Sequence, residues 1–247
     1  MKIGIIGAGN IGGTLARKLV AGGHSVKLAG SRGPEAVREQ AEKAGAVPVT
    51  AQDAVVEVDL IVLSIPLGKI PEVAGLFKNV PLSVPVIDTS NYYPQRDGHI
   101  QEVDAGKAES VWASEKLARP VVKAFNAVLA HTLAELGRPG AAAGRIALPV
   151  AGDDSNAKAI ASELVDLAGF DPVDAGALAD SWRQQPGTPA YCTELSADEL
   201  REALAAADKE RAPKDRDTLM GEFMKGLPAL SSHEAVVALN RAVSARH

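Results

Sequence analysis

Near the amino terminus, Gly7-Ala8-Gly9-Asn10-Ile11-Gly12 stands between a short apolar, β-branched run, Lys2 to Ile6, and apolar residues at Ile11, Leu15, Leu19 and Val20. The run reads as a strand, and the later spacing follows the period of a helix. Three glycines spaced G-x-G-x-x-G in a strand-to-helix turn are the arrangement that holds a dinucleotide pyrophosphate. Gly7 permits the tight turn, Gly9 lets the backbone approach the ligand, and Gly12 lets the helix pack close to the strand. Backbone N–H groups at the start of the helix, from Asn10 and Ile11, favour negative charge.

The same alternation continues along the chain. After Gly22-Gly23 a second strand is expected at Ser25 to Ala29, and Gly33-Pro34 opens a helix. Val47 to Val49 reads as a strand, Gln52 to Val58 as a short helix, and Leu60 to Ile65 as a central parallel strand covered on both faces. A helix near Lys69 to Phe77 leads to a strand at Val84 to Asp88, and a helix at Ser110 to Ala118 precedes strands at Pro120 to Phe125 and Ala147 to Ala151. Strands alternating with helices imply right-handed crossovers, hence a doubly wound, mainly parallel α/β sheet of the Rossmann type.

Beyond Asp154 the pattern changes. Asn156 to Ala168 is an amphipathic helix and Pro172 to Asp174 a last edge strand; the remainder of the chain reads as helical. Pro186, Pro189, Pro213 and Pro228 divide it into segments near Ala177 to Arg183, Ala197 to Lys209, Asp217 to Lys225 and His233 to Ala245. The expected organisation is a cofactor-binding domain over residues 1–175 and a helical C-terminal extension over 176–247 that serves the substrate and dimerisation.

At the end of the second strand, NAD-binding chains place an acid that holds the ribose 2′-hydroxyl. Here Gly30-Ser31-Arg32 takes that place. A carboxylate would repel a 2′-phosphate, whereas a serine hydroxyl and a guanidinium donate hydrogen bonds to it. The expected cofactor is therefore NADP(H), with Ser31 and Arg32 as its phosphate ligands; Arg38, in the next helix, is either a further cation in reach or a solvated surface residue.

Ile5 to Gly13, Gly30-Ser31-Arg32, Leu63-Ser64-Ile65-Pro66, Asp88-Thr89-Ser90-Asn91, Val121 to Asn126 and Asp174 to Ser181 together give the chain a family likeness. It resembles the coenzyme F-420-dependent NADP oxidoreductases, with looser similarity to pyrroline-5-carboxylate reductases and to the reductase domains of metalloreductases. The resemblance implies a domain carrying NADP(H), a smaller C-terminal portion that closes the cleft and helps to form a homodimer, and hydride exchange at the nicotinamide. By position, Ser64, Ile65 and Pro66 line the nicotinamide and its ribose, and Asn91 and Asn126 end later strands on the same sheet edge. The sequence from Gln184 onward departs from the family pattern, which leaves the acceptor open.

Hydride transfer to a deazaflavin (coenzyme F-420) or flavin-like acceptor needs two stacked rings and no obligatory side-chain acid. A small carbonyl or imine acceptor needs a proton donor, and His131, Tyr191 and Lys123 are the candidates. A non-catalytic NADP(H) sensor that binds partners through its tail is the alternative from another class. Trp112 and Trp182 are either stacking platforms or buried anchors. The histidines show no ligand spacing and Cys192 is the single cysteine, so no metal site is expected. Asp153-Asp154 reads as a turn and helix cap.

A net charge of -5 without long runs of like charge argues against nucleic acid and membrane partners. The opening apolar run is too soon interrupted by glycine for a signal peptide, and no stretch suits a membrane span, so the cytoplasm is the expected location.

Overall fold

The computed structural model describes residues 1–140, 142–225 and 232–244; the expected features at Pro228 and Ala245 lie outside them. The first half of the chain runs β1 (Lys2–Ile6), α1 (Asn10–Ala21), β2 (Ser25–Ala29), α2 (Arg38–Ala44), β3 (Val47–Val49), α3 (Ala51–Ala54), β4 (Leu60–Leu63), α4 (Ile70–Val73) and β5 (Val86–Asp88). It continues with α5 (Pro94–Asp97), α6 (Gln101–Asp104), α7 (Glu109–Leu117), β6 (Val122–Lys123), α8 (Ala130–Glu135), β7 (Ala147–Val150), α9 (Ser155–Leu167) and β8 (Asp171–Asp174). A 3-10 segment (Leu178–Gln184) then precedes α10 (Ala197–Ala205), α11 (Ala212–Met224) and α12 (His233–Ser244).

Six strands form one sheet in the order β3-β2-β1-β4-β5-β6, every pair parallel. This is the Rossmann order, in which the chain reverses direction across the sheet between β1 and β4. Alternation along β4 explains why that strand is apolar throughout: Leu60 and Val62 join Leu15 and Leu19 of α1 on one face. Ile61 and Leu63 join Phe77 and Trp112 on the other. Trp112 is thus a core anchor and no stacking platform.

β7 and β8 pair with each other in parallel and form a separate two-stranded leaf. The leaf meets the main sheet through one antiparallel bridge, where Lys123 N–H donates to the Ala151 carbonyl at 2.8 Å and Ala151 N–H returns the bond at 3.0 Å. Ala147 and Val173 of the leaf pack on Leu200 and Leu204 of α10, which attaches the helical extension to it.

Three expectations about local structure are corrected. Leu178–Gln184 is a 3-10 turn rather than an α-helix. Lys69 to Phe77 divides into a four-residue helix flanked by 3-10 turns. Pro213 does not separate two segments but sits in the first turn of α11, where the missing N–H has no intrahelical partner to lose. Asp154 does cap α9, accepting a bond from Ala157 N–H at 2.8 Å, and Asp153 accepts from Leu178 N–H at 2.9 Å.

Candidate functional site

A cleft of about 680 Å³ opens where β1, β2 and β4 end, bordered by Gly7, Ala8, Gly9, Ser31, Arg32, Ser64, Ile65 and Pro66. The glycine turn has the shape the sequence predicts. Gly7 adopts φ +111°, and a Cβ there would lie 2.0 Å from the Ser64 carbonyl oxygen; one on Gly12 would lie 1.9 Å from the Gly7 carbonyl oxygen. Both glycines are therefore demanded by the protein's own packing. A Cβ on Gly9 would meet nothing within 4 Å, so the space in front of it is open to a ligand. No side chain caps α1 and no acid occupies its first turn, which leaves its leading N–H groups to water or an anion. The site therefore fits a dinucleotide pyrophosphate.

Ser31 and Arg32 lie in the exposed turn after β2, on the wall of the same cleft. Arg38 does not border it. Glu35, three residues earlier, claims its guanidinium through bonds of 3.0 and 2.5 Å. Two further residues of the wall, Lys69 and Glu72, were not singled out by the sequence; they neutralise each other in an ion pair of 2.6 Å. No local pattern distinguishes them from ordinary helix-surface charges.

Asn91 and Asn126, beyond β5 and β6, stand apart from that cleft. The Asn126 side-chain amide donates to Asn91 Oδ1, the Asn91 side-chain amide donates to the Asn126 backbone carbonyl, and Gln184 Nε2 donates to Asn126 Oδ1 at 2.9 Å. Phe125, just before Asn126, takes φ +59°, a conformation rare for a bulky residue.

Lys123 is fully buried. Its ammonium lies 2.5 Å from the Ser90 carbonyl oxygen, 3.3 Å from Asp88 Oδ2 and 3.7 Å from Glu109 Oε2. As a proton donor to substrate it is walled off. Asp88 also accepts from Ser110 Oγ and Ser90 N–H, whereas Glu109 Oε2 has no hydrogen-bond partner among the described residues. Burial pushes the Glu109 carboxyl up to about 7, against the opposing pull of Lys123.

The other two candidates for proton transfer also stand apart from the cofactor cleft. His131 is exposed on α8, its ring 4.5 Å from that of His233, which in turn bonds Glu194 at 2.6 Å. Tyr191 shares a hydroxyl bond of 2.6 Å with Tyr93. Trp182 is stacked by Arg183 at 4.5 Å. No group of metal-binding side chains occurs among the described residues, and no described helix is long and apolar enough to cross a membrane.

The strand order and glycine turn define a dinucleotide-binding protein of the Rossmann type. Residues 2–92 match the family model described as NADP oxidoreductase, coenzyme F420-dependent. The chain is 38% identical to the Escherichia coli K12 protein YjhV over 106 residues, 43% of this chain and 77% of that one. It belongs to this family and is an NADP-dependent oxidoreductase. The protein SMa0349 of Sinorhizobium meliloti is similar in structure at TM-score 0.69 and 30% identity, over 79% of this chain and 95% of that one. The rat metalloreductase STEAP3 is 31% identical over 185 residues, 73% of this chain but only 35% of that protein.

Proposed function

We propose that the chain holds NADP(H) along the cleft and transfers a hydride between its nicotinamide and a deazaflavin (coenzyme F-420) or flavin-like acceptor. The observation that carries this reading is that Ser31 and Arg32 border the same cleft as the glycine turn, so a single ligand reaches both. Ser31 Oγ and the Arg32 guanidinium hold the 2′-phosphate, with the arginine able to engage two oxygens at once. The acid on the cleft wall, Glu72, is neutralised by Lys69 and offers that phosphate little repulsion.

Backbone N–H groups after Gly9 hold the pyrophosphate, and the Ser64–Pro66 backbone flanks the ribose beyond it. Asn91 and Asn126 mark the nicotinamide end. When bound, the cofactor supplies the hydride; the protein's share is to align donor and acceptor at near-attack distance and keep water out. Residues 176–247 close the acceptor side and contribute a homodimer interface. The family description, which names coenzyme F420, supports the deazaflavin.

Calorimetric titration with NADPH and NADH, followed by absorbance assays with F-420, FMN, a ferric chelate and a cyclic imine, tests this reading. Tighter NADPH binding and reduction of F-420 are expected. Reduction of the imine alone would make the chain an imine reductase, and cofactor binding without turnover on any acceptor would make it a sensor.

A further inference from the structure

Two phenols separated by 98 positions meet beside the asparagine tie, with their hydroxyl oxygens 2.6 Å apart. Tyr93 follows Asn91 on the chain leaving β5. Tyr191 belongs to a loop seated on the chain leaving β6, where Cys192 N–H donates to the Ala127 carbonyl at 3.2 Å. The pair therefore stands at the carboxyl ends of β5 and β6, the sheet edge along which this fold binds ligands. Both residues are partly exposed.

The surrounding backbone is unusual. Phe125, Cys192 and Glu194 all take positive φ, at +59°, +56° and +53°. Non-glycine residues in such conformations persist only where the structure around them enforces it, and they gather at functional sites. Cys192 and Glu194 belong to the segment that presents Tyr191, and Phe125 to the chain leaving β6 on which that segment is seated.

Two hydroxyls carry two protons, and one is spent in the bond between them. The Cys192 sulfur is a second hydrogen-bond partner of the Tyr191 hydroxyl, and an acceptor entering beside Tyr191 takes its place. Burial holds both phenols well above the usual tyrosine range, so both stay protonated at neutral pH. The neighbouring Cys192 thiol, pushed up to about 12 by burial, adds no negative charge. Arg96, 45% exposed, lies 5.2 Å from the Tyr93 ring.

We propose that Tyr191, backed by Tyr93, delivers the proton that completes reduction of an acceptor whose C=N system takes the hydride at carbon. The acceptor carbon gains a C–H bond and its electron pair from NADPH, which leaves as NADP+. The π electrons shift to nitrogen, which takes the Tyr191 proton; Tyr191 recovers one from Tyr93, and Tyr93 one from water. Tyr191 is the catalytic residue and Tyr93 the positioning residue. A deazaflavin and a cyclic imine share this chemistry, and the inference rests on the hydride-transfer reading above.

The test uses the full chain and the variants Tyr191→Phe and Tyr93→Phe, assayed with NADPH and either F-420 or 1-pyrroline, together with calorimetric NADPH affinity. With 1-pyrroline, whose nitrogen must gain a proton, Tyr191→Phe is expected to lower kcat about 100-fold or more while NADPH affinity holds; with F-420, where no side-chain acid is obligatory, the loss is expected to be smaller. Tyr93→Phe is expected to lower kcat less and to change the solvent deuterium isotope effect and the pH profile. A Tyr191→Phe enzyme with wild-type kcat would overturn the proposal. So would a Tyr93→Phe enzyme with wild-type isotope effect and pH profile, which decides the matter if Tyr191→Phe fails to fold. A wild type that binds NADPH but reduces neither acceptor would instead overturn the hydride-transfer reading, and this proposal with it.

Discussion

Asn126 and Asn91 bind each other reciprocally: the Asn126 amide donates to Asn91 Oδ1 at 3.1 Å, and the Asn91 amide donates to the Asn126 carbonyl oxygen at 3.0 Å. Asn126 also donates to the Gln184 carbonyl at 2.8 Å, so both its amide hydrogens are spent, whereas Asn91 keeps one. Asn126→Ala should therefore cost stability, on the order of 1–3 kcal/mol, because it leaves buried partners unsatisfied. Urea unfolding measures this, and an unchanged midpoint would show that the tie holds nothing. Asn91→Ala should cost less stability and more NADPH affinity.

Replacing Ser31 with Asp and Arg32 with Gly should turn cofactor preference toward NAD(H). Each charge-assisted bond lost is worth roughly 1.5–3 kcal/mol, enough for a tenfold or greater change in Kd. Calorimetry with both nucleotides checks it; an unchanged ratio would place the 2′-phosphate elsewhere.

The glycines of the turn should separate under substitution. Gly12→Ala drives a Cβ to within 1.9 Å of the Gly7 carbonyl, so Tm should fall with or without cofactor. Gly9→Ala meets open space, so Tm without cofactor should hold while NADPH affinity drops. Thermal melts with and without NADPH distinguish the two, and equal behaviour would remove the ligand from the turn.

Glu109 gives a pH dependence whose sign is fixed by its burial. Its carboxyl rises from 4.5 in the unfolded chain to about 7 in the folded one, so the native state keeps a proton that the unfolded state releases between those values. Stability from this group is full below about pH 4.5, declines as pH rises through the window, and is level above it. At about 1.36 kcal/mol per pH unit the ceiling is roughly 3 kcal/mol. Glu109→Gln cannot ionise and should gain on the wild type in denaturant midpoints from pH 5 to pH 8; a constant difference would contradict the assignment. Lys123→Met should instead cost about 3–5 kcal/mol, because it strands buried acid without its cation.

Short-range chemistry makes the cofactor half readable. The Gly7-to-Gly12 turn, the acid-free cleft wall at Ser31-Arg32 and the buried strand β4 each follow from a pattern a few residues long. Of the two readings open for Arg38, the structure favours the surface one, because Glu35 one helical turn away pairs with it. The far side of the fold is less readable, since Gln184 meets Asn126 across 58 positions and Tyr191 meets Tyr93 across 98. Nothing in the local pattern of the Tyr191 loop says which strand end it will cover. Lys123 stands out as a charge in an apolar strand, but Glu109, the acid paired with it at 3.7 Å, lies one residue before the helix expected at Ser110 to Ala118, where nothing marks it as buried.

The bridge between Lys123 and Ala151 consumes both backbone groups of Lys123 that would otherwise face outward from β6. A strand from another molecule finds no ladder to continue there, so the sheet is protected on that flank against unplanned extension.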